Sequence, residues 1–213
     1  KYLLHESKLF ILLKLKKVGL PFALNESIRR SDTRFYARMD ADDIAYPNRF
    51  EKQINYFKDN IETEILGSWA YEFDGELKPD RMFLNKTPHN KADIEDLIHY
   101  RNPLIHSSVM FKINSIIKVG LYNESMFTDQ DLELWNRCIK KNIIINNIQE
   151  PLIYLRVTDR LHRRSTWSAV KRQIIIRYSY NTSSLKLNFL KLASIIIRLM
   201  PFFIRKWAYR TFR

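Results

Sequence analysis

Apolar and polar positions follow two rhythms along this chain, and the switches between them mark out its elements. Residues 2–16 interleave apolar positions with lysines, and Leu9–Leu15 suits either a strand or a short helix. Gly19 and Pro21 break that segment. From Phe22 to Arg30, Phe22, Ala23, Leu24 and Ile28 fall among polar residues at helical spacing. Thr33–Met39 changes to a period of two, the mark of a strand, and runs into Asp40, Asp42 and Asp43. Pro47 stands where the first turn of a helix tolerates it, and Asn48–Asn60 continues as an amphipathic helix.

Glu64–Phe73 reads as a strand, Lys91–Tyr100 as a helix and Ser107–Phe111 as a buried strand. Asp129–Lys141 is a predicted helix with acids in its first turn and Arg137, Lys140 and Lys141 in its last, the arrangement the helix dipole favours. Ile143–Val157 is apolar and β-branched, giving strands around Glu150-Pro151, and after Ser165 the pattern is helical to the end with a break at Pro201. There is no internal repeat. Strands alternating with helices predict an α/β fold.

Composition adds little until charge is placed on the chain. At 213 residues there is room for one good core, and four glycines leave little for long flexible linkers. A single cysteine, Cys138, excludes an internal disulfide or a cysteine metal cluster, and its mid-helix position reads as inert packing. The chain starts at Lys1 with no secretory signal and reads as a piece of a longer protein. Of 36 Lys and Arg, thirteen lie from Arg160 onward, where no Asp or Glu occurs. Residues 1–159 are therefore balanced at 23 basic and 23 acidic groups, and the tail carries the whole net charge of +13. A nucleic-acid module spreads its basic surface over the fold, so nucleic acid is not an expected partner.

The strongest chemical signal is Asp40-Ala41-Asp42-Asp43. Three carboxylates within four residues repel one another unless a cation sits among them. They follow a predicted strand, at the sheet edge where α/β proteins bind ligands. Hard oxygen ligands suit Mg²⁺ or Mn²⁺, which bridge to substrate phosphates. A solvated acidic turn capping the next helix is the plainer alternative.

The longer strings around this cluster resemble family 2 glycosyltransferases. They are Gly19-Leu20-Pro21-Phe22-Ala23-Leu24-Asn25-Glu26-Ser27-Ile28, then Ala37-Arg38-Met39-Asp40-Ala41-Asp42-Asp43, then Pro47-Asn48-Arg49-Phe50 with Gln53, then Ile65-Leu66-Gly67-Ser68. Asn102-Pro103-Leu104-Ile105-His106-Ser107-Ser108-Val109-Met110, Val119-Gly120-Leu121-Tyr122, Gln130-Asp131-Leu132-Glu133-Leu134-Trp135 and Glu150-Pro151-Leu152-Ile153-Tyr154-Leu155-Arg156-Val157 follow in the same order. The resemblance covers roughly residues 17–165 and implies a GT-A fold, a mixed sheet flanked by helices. It divides the chain into a partial catalytic domain at 1–165 and a basic helical tail at 166–213. The family's opening Pro-x-Tyr-Asn-like and Asp-Gly-Ser-like motifs do not occur in this sequence. Since they hold much of the nucleoside pocket, the chain alone is expected to be impaired.

The resemblance also implies inverting transfer from a nucleoside-diphosphate sugar, most often a UDP-sugar, to a glycan or lipid-linked acceptor in cell-surface polysaccharide synthesis. Asp42 is the expected ligand of a Mn²⁺ or Mg²⁺ ion, with Asp40 binding ribose or assisting the metal. Asn25, Arg38 and His106 are expected on the donor or acceptor side, although a satisfied core histidine explains His106 equally well. Asp131, four residues before Trp135, is the expected general base. The family usually has Glu-Asp where this chain has Gln130-Asp131, and a plain role for Asp129, Asp131 and Glu133 in starting the helix stays open. Trp135 is read as core. Arg163 and Arg164, with His162, suit closure over a diphosphate or contact with anionic lipid.

The tail carries Lys191, Arg198 and Arg205 at seven-residue intervals, with Leu192, Ile195, Ile196, Ile197, Leu199, Phe202 and Phe203 between. No apolar run reaches the ~20 residues that span a bilayer. The expectation is a helix lying on the cytoplasmic face of a membrane, with a helix packed on the catalytic domain as the alternative. A non-catalytic scaffold and a basic module binding membrane or nucleic acid are the rival functions.

Overall fold

The computed structural model describes residues 19–157, 167–201 and 204. The segment 2–16 therefore lies outside the described residues. The described part starts with helix α1 (Leu20–Arg29), two residues ahead of its sequence expectation, with Gly19 as its cap and Pro21 inside the first turn. There the missing N–H of proline costs nothing. Strands β1 (Phe35–Ala37) and β2 (Ile44–Ala45) flank the acidic cluster, and α2 (Arg49–Asp59) follows. The cluster thus lies between two strands, and the cap position of α2 belongs to Asn48. Asp43 is not a helix cap.

Next come β3 (Ile65–Phe73), β4 (Phe83–Asn85), α3 (Lys91–Leu97), a 3-10 turn (His106–Ser108), β5 (Met110–Lys112) and α4 (Ile113–Lys118). Then α5 (Gln130–Lys140), β6 (Ile145–Arg156), α6 (Trp167–Tyr178) and α7 (Leu185–Leu199) complete the described chain. The buried strand expected over 107–111 is a 3-10 turn followed by β5, because Ser107 and Ser108 turn their hydroxyls to neighbouring groups instead of joining a ladder. Residues 145–156 form one strand through Pro151. A register shift against β3 at Ser68–Ala70 accommodates the proline.

The sheet has the order β1-β5-β3-β6-β2, with β4 beside the far half of β3. Only β3 and β6 run parallel; β1–β5, β3–β5, β3–β4 and β2–β6 are antiparallel. This is an α/β fold with a mixed sheet. β1 and β2 occupy opposite edges, so residues 38–43 must cross the sheet to connect them. β3 pairs with β5 at Ile65 and Leu66 and with β4 at Ala70–Glu72. Ser108 fills the gap, its Oγ accepting from the Ser68 N–H at 3.0 Å.

One face of the sheet packs Ile28, Ile65, Phe111, Leu134 and Trp135 into the main core; the other packs Leu66 and Met110 against Phe57 of α2. Cys138 is buried in that main core, where burial raises its thiol to about 12 and keeps it protonated. Ile176 of α6 joins the same core, the Arg177 guanidinium donates to the Ile98 carbonyl, and the Asn136 amide donates to the Ile176 carbonyl. Among the described residues no helix is long and apolar enough to cross a membrane.

Gly67 stands directly opposite Asn147 in the parallel β3–β6 pair. A Cβ there would overlap the Asn147 Oδ1 and touch Leu104. Asn147 is fully buried, with its amide donated to the Pro88 and Pro103 carbonyls, so it has nowhere to retreat. Gly67→Ala is expected to cost about 1–3 kcal/mol, the usual penalty of overpacking. Denaturant unfolding monitored by circular dichroism measures it; an unchanged midpoint would show that Asn147 can move.

Candidate active site

The acidic turn begins as an extension of the β1–β5 ladder: the Arg38 N–H donates to the Val109 carbonyl at 2.9 Å, and the chain then leaves the sheet. The Asp43 N–H returns to the Asp40 carbonyl at 3.3 Å, closing the turn. Oxygen atoms of Asp40, Asp42 and Asp43 come within 4.8 Å of one another. Two arginines hold this concentration of charge. Arg38, buried, forms an ion pair with Asp40 and donates from Nη1 to the Ser107 hydroxyl at 2.9 Å. Ser107 in turn donates to Asp40 Oδ2 at 3.0 Å. Arg49 lies below, fully buried; desolvation first and the Arg38 charge second lower it to about 10, while Asp43 opposes them.

The three carboxylates differ in what they have left to offer. Asp43 accepts the Arg156 N–H on Oδ1 at 2.8 Å, while its Oδ2 is buried with no hydrogen-bond partner. Burial pushes the Asp43 carboxyl above its ordinary range; the Ser107 hydroxyl and the Arg156 N–H act against this, and the charges of Asp40 and Asp42 add to it. Asp42 is exposed at the tip of the turn. Arg38 and Arg49 lie beside the cluster, the Arg156 Nε donates to the Asp42 carbonyl at 3.2 Å, and the buried Asp43 Oδ2 has no hydrogen-bond partner. An oxygen-rich site of this kind fits a hard divalent cation.

A second group lies on the other side of the 3-10 turn. Asp131, in the first turn of α5, accepts from the Asn102 amide at 2.6 Å. The Asn102 carbonyl oxygen accepts the Leu104 N–H at 3.2 Å, which orients the amide toward the carboxylate. Tyr122 follows a glycine-ended helix stop. Gly120, at φ 95°, donates to the Ile117 carbonyl, and Leu121 donates to that of Ile116. That pairing is a Schellman turn, for which the left-handed position calls for glycine. The Tyr122 hydroxyl meets His106 Nε2 at 2.9 Å. Burial, with the Arg38 charge adding to it, holds His106 well below its ordinary value, so the ring is neutral. Burial likewise raises the Tyr122 phenol, against the Arg38 charge, and keeps it protonated. His106 and Ser107 are adjacent on one turn, and through them the acidic cluster and the Asp131 side are joined.

Of the residues singled out in the sequence, Asp40, Asp42 and Arg38 come together, Asp43 joins them, and Asp131 stands with Asn102. His106 sits between the two groups, against the edge of the buried Trp135 ring. Asn25 takes a different place: it is buried, donating to the Tyr122 carbonyl and Glu124 and accepting the Tyr122 N–H. Its amide is committed to holding that loop. His162, Arg163 and Arg164 lie outside the described residues. The sequence reading passed over Ser107, Asn102 and Tyr122 as site residues, although each falls inside a motif quoted for the resemblance. Short polar residues flanking Pro103 and His106 were the available signal.

Comparison with known proteins gives the family and the fold. The sequence model described as Glycosyl transferase family 2 matches residues 1–119. The amylovoran biosynthesis glycosyltransferase AmsE of Erwinia amylovora is 30% identical over 200 residues, covering 91% of this chain and 73% of its own length. The UDP-Gal:alpha-D-GlcNAc-diphosphoundecaprenol beta-1,3-galactosyltransferase of Escherichia coli is 28% identical, covering 92% of this chain and 72% of its own. Among solved structures, S. aureus TarS 1-349 in complex with UDP-GlcNAc superposes with a TM-score of 0.57 at 13% identity, over 84% of this chain and 52% of that one. At that identity the likeness carries the fold alone, and the fold is of GT-A type. The family match spans more than half of the 213 residues, and the relatives at 28–30% identity cover nine-tenths of them. The chain belongs to glycosyl transferase family 2.

Proposed function

We propose that the protein transfers a sugar, with inversion, from a nucleoside-diphosphate sugar to a hydroxyl of a glycan or lipid-linked acceptor. The observation that carries this is the joining of two chemically different groups by a single 3-10 turn. On one side is a carboxylate cluster suited to a divalent cation, and on the other a carboxylate held by an amide at a helix start. A UDP-sugar as donor is supported by the names of the galactosyltransferase relative and of the TarS complex. The same galactosyltransferase name and that of AmsE support a lipid-linked acceptor and a place in cell-surface polysaccharide synthesis. An acceptor of that kind would bring the enzyme to the cytoplasmic face of a membrane.

Asp42, Asp40 and Asp43 would hold Mn²⁺ or Mg²⁺, which when bound neutralises charge on the donor diphosphate. Arg38 and Ser107 keep Asp40 in place. Asp131 accepts the proton of the acceptor hydroxyl as the oxygen attacks the anomeric carbon from the face opposite the nucleotide. The new carbon–oxygen bond forms as the bond to the diphosphate breaks, and the electron pair leaves with the diphosphate. Asn102 fixes the carboxylate orientation, because its own carbonyl is tied to the Leu104 N–H. Neutral His106 and protonated Tyr122 line the junction without adding charge.

Two outcomes test this, each in protein carrying the whole catalytic domain. Asp42→Asn should abolish Mn²⁺-dependent UDP binding in calorimetry while circular dichroism stays that of the parent; unchanged binding removes Asp42 as the metal ligand. Asp131→Asn should lower turnover by about 10²–10⁴-fold with donor affinity near normal. Asn102→Ala should lower turnover less, by about tenfold, as expected for losing one hydrogen bond to a charged group. If Asp129→Asn is the inactive variant and Asp131→Asn is active, the base has been misassigned.

A further inference from the structure

α6 and α7 form a helical hairpin whose inward and outward faces are both apolar. The inward side of α6 buries Ala169, Val170 and Ile176, and that of α7 buries Ile195. Outward, α7 exposes Leu185, Phe189, Leu192, Ile196 and Leu199. These positions are spaced four, three, four and three apart, which keeps them on one helical stripe. The exposure is substantial: Leu185 shows 86% of its surface and Phe189 70%. α6 adds Trp167, Ile174, Ile175 and Tyr178 at seven, one and three, again a single face. The Lys191 ammonium, 4.9 Å from the Tyr178 ring, joins the two helices. An apolar stripe on each of two neighbouring helices is far more than isolated surface leucines, and surfaces of this kind mark contact sites.

Charge identifies what the contact is. No Asp or Glu occurs after Asp159, while thirteen Lys and Arg do, and exposed Lys171 and Lys186 sit on α6 and α7 themselves. Apolar residues flanked by exposed bases and free of acids match a lipid surface, whose acyl boundary takes the stripe and whose anionic headgroups take the lysines. A nucleic acid would leave the aliphatic stripe of Leu185, Leu192, Ile196 and Leu199 uncovered. We propose that the outward faces of α6 and α7 are a docking surface for an anionic bilayer, with the hairpin lying in the interface and not crossing it.

The test uses the full chain and phosphatidylcholine vesicles containing or lacking phosphatidylglycerol. The expected result is flotation with the anionic vesicles, weakened by salt and by removal of phosphatidylglycerol. Phe189→Glu with Leu192→Glu alters only exposed positions and should lower vesicle partition by about tenfold or more, since two buried apolar side chains are lost from the contact. Lys171→Glu with Lys186→Glu should weaken binding to the anionic vesicles alone. Circular dichroism and thermal unfolding of both variants should match the parent. Equal flotation of parent and Phe189→Glu, Leu192→Glu protein would overturn the proposal. So would light scattering that shows the parent to be a dimer, split by these changes and bound to no vesicle, since the face would then belong to a second copy. Donor hydrolysis, measured in solution in protein carrying the whole catalytic domain, is independent of this surface and should be the same with and without these changes. Its absence from that protein would count against the transferase mechanism and leave the docking result standing.

Discussion

Arg49 is buried without a carboxylate bonded to its guanidinium, and the architecture of the site depends on how that charge is satisfied. Its Nη2 donates to the Arg38 carbonyl at 2.9 Å, its Nε to Gln53 Oε1 at 3.1 Å, and its Nη1 faces the Met39 sulfur. Gln53 passes the contact on, donating to the Ser108 carbonyl at 2.8 Å. Those carbonyls belong to the two places where the backbone leaves the ladder: the start of the crossing turn and the end of the 3-10 turn. A buried carbonyl without a partner is costly, and a buried guanidinium more so, but each satisfies the other here. Removing one partner from such a network typically costs about 1–3 kcal/mol for each buried group left unsatisfied. The helix α2 therefore does more than cover the sheet, since one turn of it, Arg49 to Gln53, fixes both halves of the site.

The acidic cluster is tolerated because of this arrangement. Without Arg38 and Arg49, the close approach of Asp40, Asp42 and Asp43 would be opposed by their mutual repulsion alone. With them in place the three carboxylates still face one another, and Asp43 keeps a buried oxygen without a hydrogen-bond partner. A fully compensated cluster would have no reason to bind a cation. Incomplete internal compensation is the form a binding site takes when its missing partner comes from outside.

The sequence revealed most where a residue's chemistry is unusual for its place. Three acids after a strand, an acid four residues before a core tryptophan and a basic tail were each visible as departures from pattern. The crossing of residues 38–43 from one sheet edge to the other was not, because β2 is two residues long and too short to show a period. Ser107 and Ser108, part of the 3-10 turn, fall within a predicted strand for a related reason: apolar Ile105 and Val109–Phe111 surround them, and hydrophobicity cannot distinguish a turn held by serine hydroxyls from a ladder held by the backbone. Asn25 looked like a ligand and serves as a clamp on Tyr122. A polar residue in a motif is needed either by the substrate or by the chain, and the sequence alone does not separate the two.

The hairpin and Asp131 share a footing. Arg177 of α6 donates to the Ile98 carbonyl, and His99 stacks on Tyr180 with ring centroids 4.8 Å apart. Tyr180 in turn accepts the buried Lys191 ammonium on its carbonyl at 2.8 Å. Desolvation first, then the Lys191 charge, lowers His99 to about 4, so it is a neutral packing group at physiological pH. Three residues beyond His99 stands Asn102, which holds Asp131, while Asn136, five residues beyond Asp131 on α5, donates to the Ile176 carbonyl of α6. Both partners of the Asn102–Asp131 contact are thus anchored to the same pair of C-terminal helices, one through the 98–102 segment and one through α5. A hairpin resting on a surface would set the position of Asp131, the proposed base, relative to that surface through buried hydrogen bonds.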